Sequence, residues 1–165
     1  YVPNAKAVKA LDEERRAGAL PAEIARVYDD LKKLGYTPDA ANTNIGSAIF
    51  ANKPGDGSAR EQAASCQRVL GAGANIVNEY ATKRYRSNLI NWGMLPFQLN
   101  GAAPFGLGDY ILIPHVREAL KGDLQNIPAY VLGEEVKPFA LYMAPLTSDE
   151  REILADGCLI NYYKH

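Results

Sequence analysis

Residues 44–80 read NIGSAIFANKPGDGSAREQAASCQRVLGAGANIVNEY, and this stretch decides the fold. Residues 44–51 are short, apolar and β-rich, which predicts a buried strand. A loop follows over residues 52–58, with Pro54, Gly55 and Gly57 in it. Residues 59–70 then carry a helical pattern that Gly71 closes. Residues 74–80 predict the next strand. Strand, loop, helix and strand in this order make a parallel pair joined by a crossover helix.

Upstream, residues 5–17 are Ala-rich and charged and predict a weak helix. Residues 21–34 predict a firmer one. Pro21 suits a first helical position. Ile24, Val27, Tyr28, Leu31 and Leu34 recur at spacings of three and four, which marks one buried face. Gly35 and Pro38 stop the helix, and Asp29, Asp30, Lys32 and Lys33 are expected on its solvated side. Downstream, residues 83–92 predict a helix ended by Gly93. Residues 94–99 are expected to be extended, since Pro96 disfavours helix. A glycine-rich loop fills residues 101–108, and residues 110–113 are β-rich. Residues 128–133 and 136–143 flank Glu134-Glu135 and predict a hairpin. Thr147 with Glu150 forms a capping box for a last helix over 148–156, which Gly157 ends. The whole predicts a mixed α/β domain over residues 42–165 with a mostly parallel central sheet. Residues 1–41 would be a helical segment packed on it.

Composition narrows the function. The chain has 165 residues and 47% hydrophobic content, enough for one buried core. Lys+Arg is 18 against Asp+Glu 19, so the net charge of -1 argues against binding nucleic acid by bulk charge. No apolar run approaches the ~20 residues of a membrane-spanning helix. The polar start carries no signal-peptide pattern, and a cytoplasmic location is expected. The first residue is Tyr1 rather than Met, which suggests a piece of a longer protein. Cys66 and Cys158 are too few for a disulfide scaffold or for a four-cysteine metal site, so no metal ligands are assigned to this chain.

The segment with chemical potential is Gly55-Asp56-Gly57-Ser58-Ala59-Arg60-Glu61. A strand delivers the chain to a glycine turn, and a helix starts at once. The first N–H groups of that helix can hold an anion. Arg60 adds a planar fork of donors suited to a carboxylate. The implied ligand is a small carboxylate or phosphate. Ser58 has two readings. Its hydroxyl faces the ligand, or it caps the helix with Glu61 completing a capping box. The spacing is not that of a P-loop or of a dinucleotide fingerprint.

These residues bring in a family resemblance. Gly57-Ser58-Ala59-Arg60-Glu61 resembles the Gly-Ser-Ser-Arg-Glu loop of the aconitase superfamily, found in the aconitase swivel domain and in the isopropylmalate isomerase small subunit. Arg86-Ser87-Asn88-Leu89 and Gly93-Met94-Leu95-Pro96-Phe97 resemble a second family segment. The ending, Gly157-Cys158-Leu159-Ile160-Asn161, is similar to the family's closing Gly-Gly-Leu-(apolar)-Asn. The resemblance covers residues 42–163.

The resemblance implies a swivelling β/β/α domain that grips substrate in a hydro-lyase. That enzyme would dehydrate and rehydrate a hydroxy polycarboxylic acid. It implies that Ser58, as alkoxide, removes a proton, and that Arg60 binds a substrate carboxylate. Gly57 and Ala59 would bind through their backbone N–H groups. It also implies a 4Fe–4S cluster, held by larger aconitase-like domains on the same chain or on a separate subunit, so this chain alone would be inactive. The sequence departs from the family at Ala59, which replaces the loop's second serine, and at Gln62, which replaces a histidine. Residues 81–85 also depart from the family's Arg-Ile-His pattern. The family's opening Ser/Thr-Thr-Asp segment is not found in residues 1–41. Alternatives are an isopropylmalate-isomerase-type small subunit, or a non-catalytic module in which residues 83–86, basic with an aromatic, touch RNA. Cys66, Cys158 and Trp92 are expected to pack, and His115 to lie at a helix start on the surface.

Overall fold

The computed structural model describes residues 2–37 and 43–164. Two helices lead, α1 (Val2–Arg16) and α2 (Ala22–Lys33). A parallel α/β unit follows, made of β1 (Ser47–Ala51), α3 (Arg60–Val69), β2 (Ala72–Val77), α4 (Lys83–Asn91) and β3 (Leu95–Gln98). The remainder is β4 (Tyr110–Leu112), α5 (Val116–Lys121), β5 (Ile127–Leu132), β6 (Lys137–Leu141), α6 (Ser148–Asp156) and α7 (Leu159–Tyr162).

The expected parallel unit is present. β2 lies between β1 and β3, both parallel to it, with Phe50 opposite Ile76 and Ile76 opposite Phe97. The strands begin at Ser47 and Ala72 rather than at residues 44 and 74. The expectation of a mostly parallel sheet is corrected. Parallel and antiparallel strands form two sheets of three strands each, the second in the order β4-β5-β6. The hairpin at Glu134-Glu135 makes β5 and β6 antiparallel through its short turn, and β4 also pairs antiparallel with β5. Among the described residues one isolated antiparallel bridge joins the sheets: Gln98 N–H donates to Tyr142 O at 2.7 Å, and Tyr142 N–H returns to Gln98 O at 2.9 Å.

The main core lies between the two sheets and the C-terminal helices. Ile76 and Phe97 come from the parallel sheet, Ile127 and Leu141 from the antiparallel one, and Ile153 from α6. A second cluster, Ala64, Ala72, Tyr85, Leu89 and Met94, seats α3 and α4 on the parallel sheet. The capping box of α6 forms as expected, with Glu150 N–H on Thr147 Oγ1 and Thr147 N–H on Glu150 Oε2.

Val27 and Leu31 of α2 pack against Leu132. Asp30 is buried rather than solvated, with Lys33 Nζ at 3.7 Å. Asp29, Lys32 and Lys33 are exposed as expected. α1 is tied to α2 by a hydrogen bond from a buried arginine. Arg15 is buried, bonds Asp12 at 2.7 Å, and reaches Tyr28 Oη at 3.3 Å. The weak helix expected over residues 5–17 is thus present as α1, and its apolar pattern is weak because its buried residues include an ion pair. Gly35 follows the end of α2, whereas Pro38 and the boundary placed between residues 41 and 42 lie outside the described residues. No helix among the described residues is long and apolar enough to cross a membrane.

Candidate functional site: a loop at the carboxyl edge of the parallel sheet

Because β1, β2 and β3 are parallel, the segments that leave their carboxyl ends lie on one edge. These segments start at residues 52, 78 and 99. Open α/β sheets bind ligands there. The first segment is the glycine loop, and the second fastens it. Glu79 N–H donates to Asn52 O, and Ala81 N–H to Pro54 O, both at 2.9 Å. Lys53 Nζ pairs with Glu79 at 3.1 Å. Asn78 fastens the third segment, donating from Nδ2 to Leu99 O at 2.8 Å and Gly101 O at 2.9 Å.

Gly55 is the seat of the loop. Its φ of +99° lies in the region that favours glycine. A Cβ there would fall 2.6 Å from Tyr85 Cβ, so the loop backbone rests directly on that side chain. The Gly55 carbonyl accepts two hydrogen bonds, from Thr82 Oγ1 at 3.2 Å and Arg60 Nε at 3.3 Å. Thr82 is also the N-cap of α4, accepting from Tyr85 N–H.

The four expected site residues fall together on this loop. Ser58 is exposed, and its hydroxyl has no hydrogen-bond partner among the described residues. The N-cap of α3 is Ala59, with no side-chain cap bond. The capping reading of Ser58 is therefore not realised, and its hydroxyl remains available. A Cβ at Gly57 would meet nothing within 4 Å, so the loop is open on that side. Arg60 is half-buried, with Nε spent on Gly55 and neither Nη engaged by the described residues. The first-turn amides of α3 have no acceptor within the helix. Ser58, Ala59 and Arg60 thus bring an exposed hydroxyl, helix-start amides and an unspent Nη pair into one short stretch of chain.

Tyr80, at the same edge, keeps its phenol proton near neutrality. Burial, aided by neighbouring Tyr85 and opposed by Arg86, raises its phenol far above the ordinary range. Its hydroxyl donates to Phe97 O at 3.3 Å.

Other expectations separate here. Tyr85 is 2% exposed, and Arg86 Nη2 donates to Ala144 O and Pro145 O. The run over residues 83–86 therefore offers no aromatic face to a base. Cys66 is exposed, not packed, because Ala64 and half-buried Gln67 lie on the inner face of α3. Cys158 is half-buried at the start of α7, and Trp92 packs partly buried at the end of α4. His115 is exposed at the N-cap of α5 and lies 5.5 Å from Tyr36, ring to ring. No group of three or more His, Cys, Asp and Glu that could hold a metal occurs among the described residues. The side chains present thus do not fit a 4Fe–4S cluster, which needs clustered thiolates.

Sequence reading missed Thr82, Asn78 and the buried role of Tyr85. Thr82 was findable, since a threonine just before a helical pattern is an N-cap signal. Asn78 and Tyr85 carry no local signal, because their partners lie on other elements. The second and third motif segments meet in space. Gly93, with φ +73°, lies so close to the Gly157 carbonyl that no side chain would fit.

The architecture and site define a mixed α/β domain with an anion-suited loop at the edge of a parallel sheet. The family model for the aconitase C-terminal domain matches residues 36–102. The crystal structure of 3-isopropylmalate dehydratase from Methanocaldococcus jannaschii is 30% identical, over 76% of this chain and 67% of that chain, with a TM-score of 0.50. No curated protein matches the chain. The chain belongs to the aconitase superfamily, as a domain of its small, C-terminal type.

Proposed function

We propose that this chain is the mobile substrate-gripping domain of an aconitase-family hydro-lyase. It would act on a 2- or 3-hydroxy polycarboxylic acid. The observation that carries the reading is the free Ser58 hydroxyl beside an arginine whose two Nη groups are unspent. A proton α to a carboxylate is weakly acidic, so its base needs activation by donors and positive charge. Arg60 takes a substrate carboxylate through its Nη pair. The backbone N–H groups of Gly57 and Ala59 steady the same anion. Ser58, as alkoxide, then removes the proton. Ala59 offers only its backbone to that task.

A 4Fe–4S cluster of the kind the family uses would supply Lewis-acid chemistry from outside this chain. Its ligands would come from larger aconitase-like domains, on the same polypeptide or on a partner subunit. This chain alone would then be inactive. The alternative is a separate small subunit of an isopropylmalate-isomerase type, in line with the similarity to the Methanocaldococcus 3-isopropylmalate dehydratase.

The test is solvent deuterium uptake by a panel of hydroxy polycarboxylates, using the intact, cluster-loaded protein. Uptake into one substrate, lost in Ser58→Ala, supports proton removal at this loop. Uptake that persists in Ser58→Ala contradicts it.

A further inference from the structure

We infer that Tyr85 is a positioning residue that sets Arg60 and the loop ahead of it. The inference rests on the reading of Ser58 and Arg60 as substrate-handling groups. Tyr85 is 2% exposed and cannot itself touch substrate. Its hydroxyl accepts from Gln67 Nε2 at 2.9 Å and from Asn75 Nδ2 at 3.0 Å. Gln67 stands on α3, two turns beyond Arg60, and Asn75 is fully buried on the central strand of the parallel sheet. The base of the Tyr85 side chain carries Gly55.

One side chain of α4 therefore joins three pieces: the body of α3, the strand β2 and the loop. Asn75 Oδ1 and Gln67 Oε1 are buried without hydrogen-bond partners among the described residues, so among these the phenol oxygen is the one polar anchor of both side chains. Arg60 begins the helix that Gln67 fixes, and its Nε holds the carbonyl of the glycine that Tyr85 seats. Tyr85 thus acts on Arg60 by both routes, through the Gln67 arm of α3 and through the seat of Gly55, beside the packing of Ala64 and the bond from Arg68 to Ala72 O that also hold α3. Small displacements of a carboxylate clamp cost large factors in turnover.

The experiment is Tyr85→Phe in the intact protein. This change keeps the ring under Gly55 and removes the phenol oxygen that holds Gln67 of α3. Two readouts are used: amide hydrogen exchange, and the split between KM and kcat. Exchange at residues 57–62 should rise about tenfold, with β2 as protected as before, and KM should rise about tenfold with a smaller change in kcat. In an Arg60→Lys background, Tyr85→Phe should add nothing to KM. Unchanged exchange and KM, or full additivity with Arg60→Lys, overturns the inference.

If Tyr85→Phe loosens the whole domain, Gln67→Leu decides, because it cuts only the arm to α3. Gln67→Leu should reproduce the local exchange change, and its failure to do so overturns the inference. The underlying reading fails separately: Ser58→Ala would stay active, whereas the exchange result concerns the loop alone.

Discussion

Arg60 donates its Nε–H back to the carbonyl oxygen of Gly55, 3.3 Å away, across the loop that precedes it. With Nε so used, a carboxylate can still be held end-on by the two Nη groups. The bond leaves the Nη pair oriented and unspent. A lysine has one ammonium and cannot do both. Arg60→Lys should raise KM about tenfold or more, with the melting temperature nearly unchanged. Steady-state kinetics beside a thermal melt checks this, and an unchanged KM removes Arg60 from the site.

Gly55→Ala tests the seat of the loop. Alanine must adopt the left-handed φ of +99° and place its Cβ against Tyr85. The expected loss is roughly 2–4 kcal/mol, combining the left-handed strain with overpacking. Urea unfolding measures it, and a loss well under 1 kcal/mol would show that the loop has room it is not credited with.

Gly93 and Gly57 form a contrasting pair. At Gly93 a side chain would run into the Gly157 carbonyl, and a backbone group has no rotamer in which to retreat. Gly93→Ala should cost about 3 kcal/mol or more. At Gly57 the space is open. Gly57→Ala should leave stability within about 0.5 kcal/mol yet weaken substrate binding, because its methyl enters the space the ligand needs. Unfolding curves and KM values for both variants separate fold from site.

Alkaline pH tests how α2 is attached. Tyr110 donates to Glu23 Oε2 at 2.9 Å. Burial first, then this bond and the charge of Glu23, push its phenol up to about 12 from 10.0. A raised folded value means the folded state keeps the proton that the unfolded chain gives up. The contribution is therefore complete below pH ~10 and is lost as pH rises through about 12. Tyr110→Phe should lose less stability than the parent between those values. Urea midpoints at pH 8 and 11.5 show it, and parallel losses in both proteins would contradict it.

Much of the fold was legible because its signals are local. The β1–α3–β2 unit could be read from two apolar runs around a glycine loop, and α6 from Thr147 and Glu150. The site loop was legible too, since Gly55, Gly57, Ser58 and Arg60 are contiguous. What escaped were long-range facts. Asp30 and the Asp12–Arg15 pair are buried although charged, which no hydropathy pattern announces. Cys66 turned outward because the inner face of α3 is narrow and partly polar, held by Ala64 and Gln67. Whether Ser58 capped its helix or stood free depended on backbone angles at Ala59, which the residue types alone leave open.

The most direct test of the central claim is Ser58→Ala in the intact, cluster-loaded protein, with turnover and polycarboxylate binding measured side by side. The account predicts that kcat falls by three orders of magnitude or more, roughly, while the Kd for substrate changes by less than about fivefold. A kcat within about tenfold of the parent would contradict it, because proton removal would then not pass through Ser58.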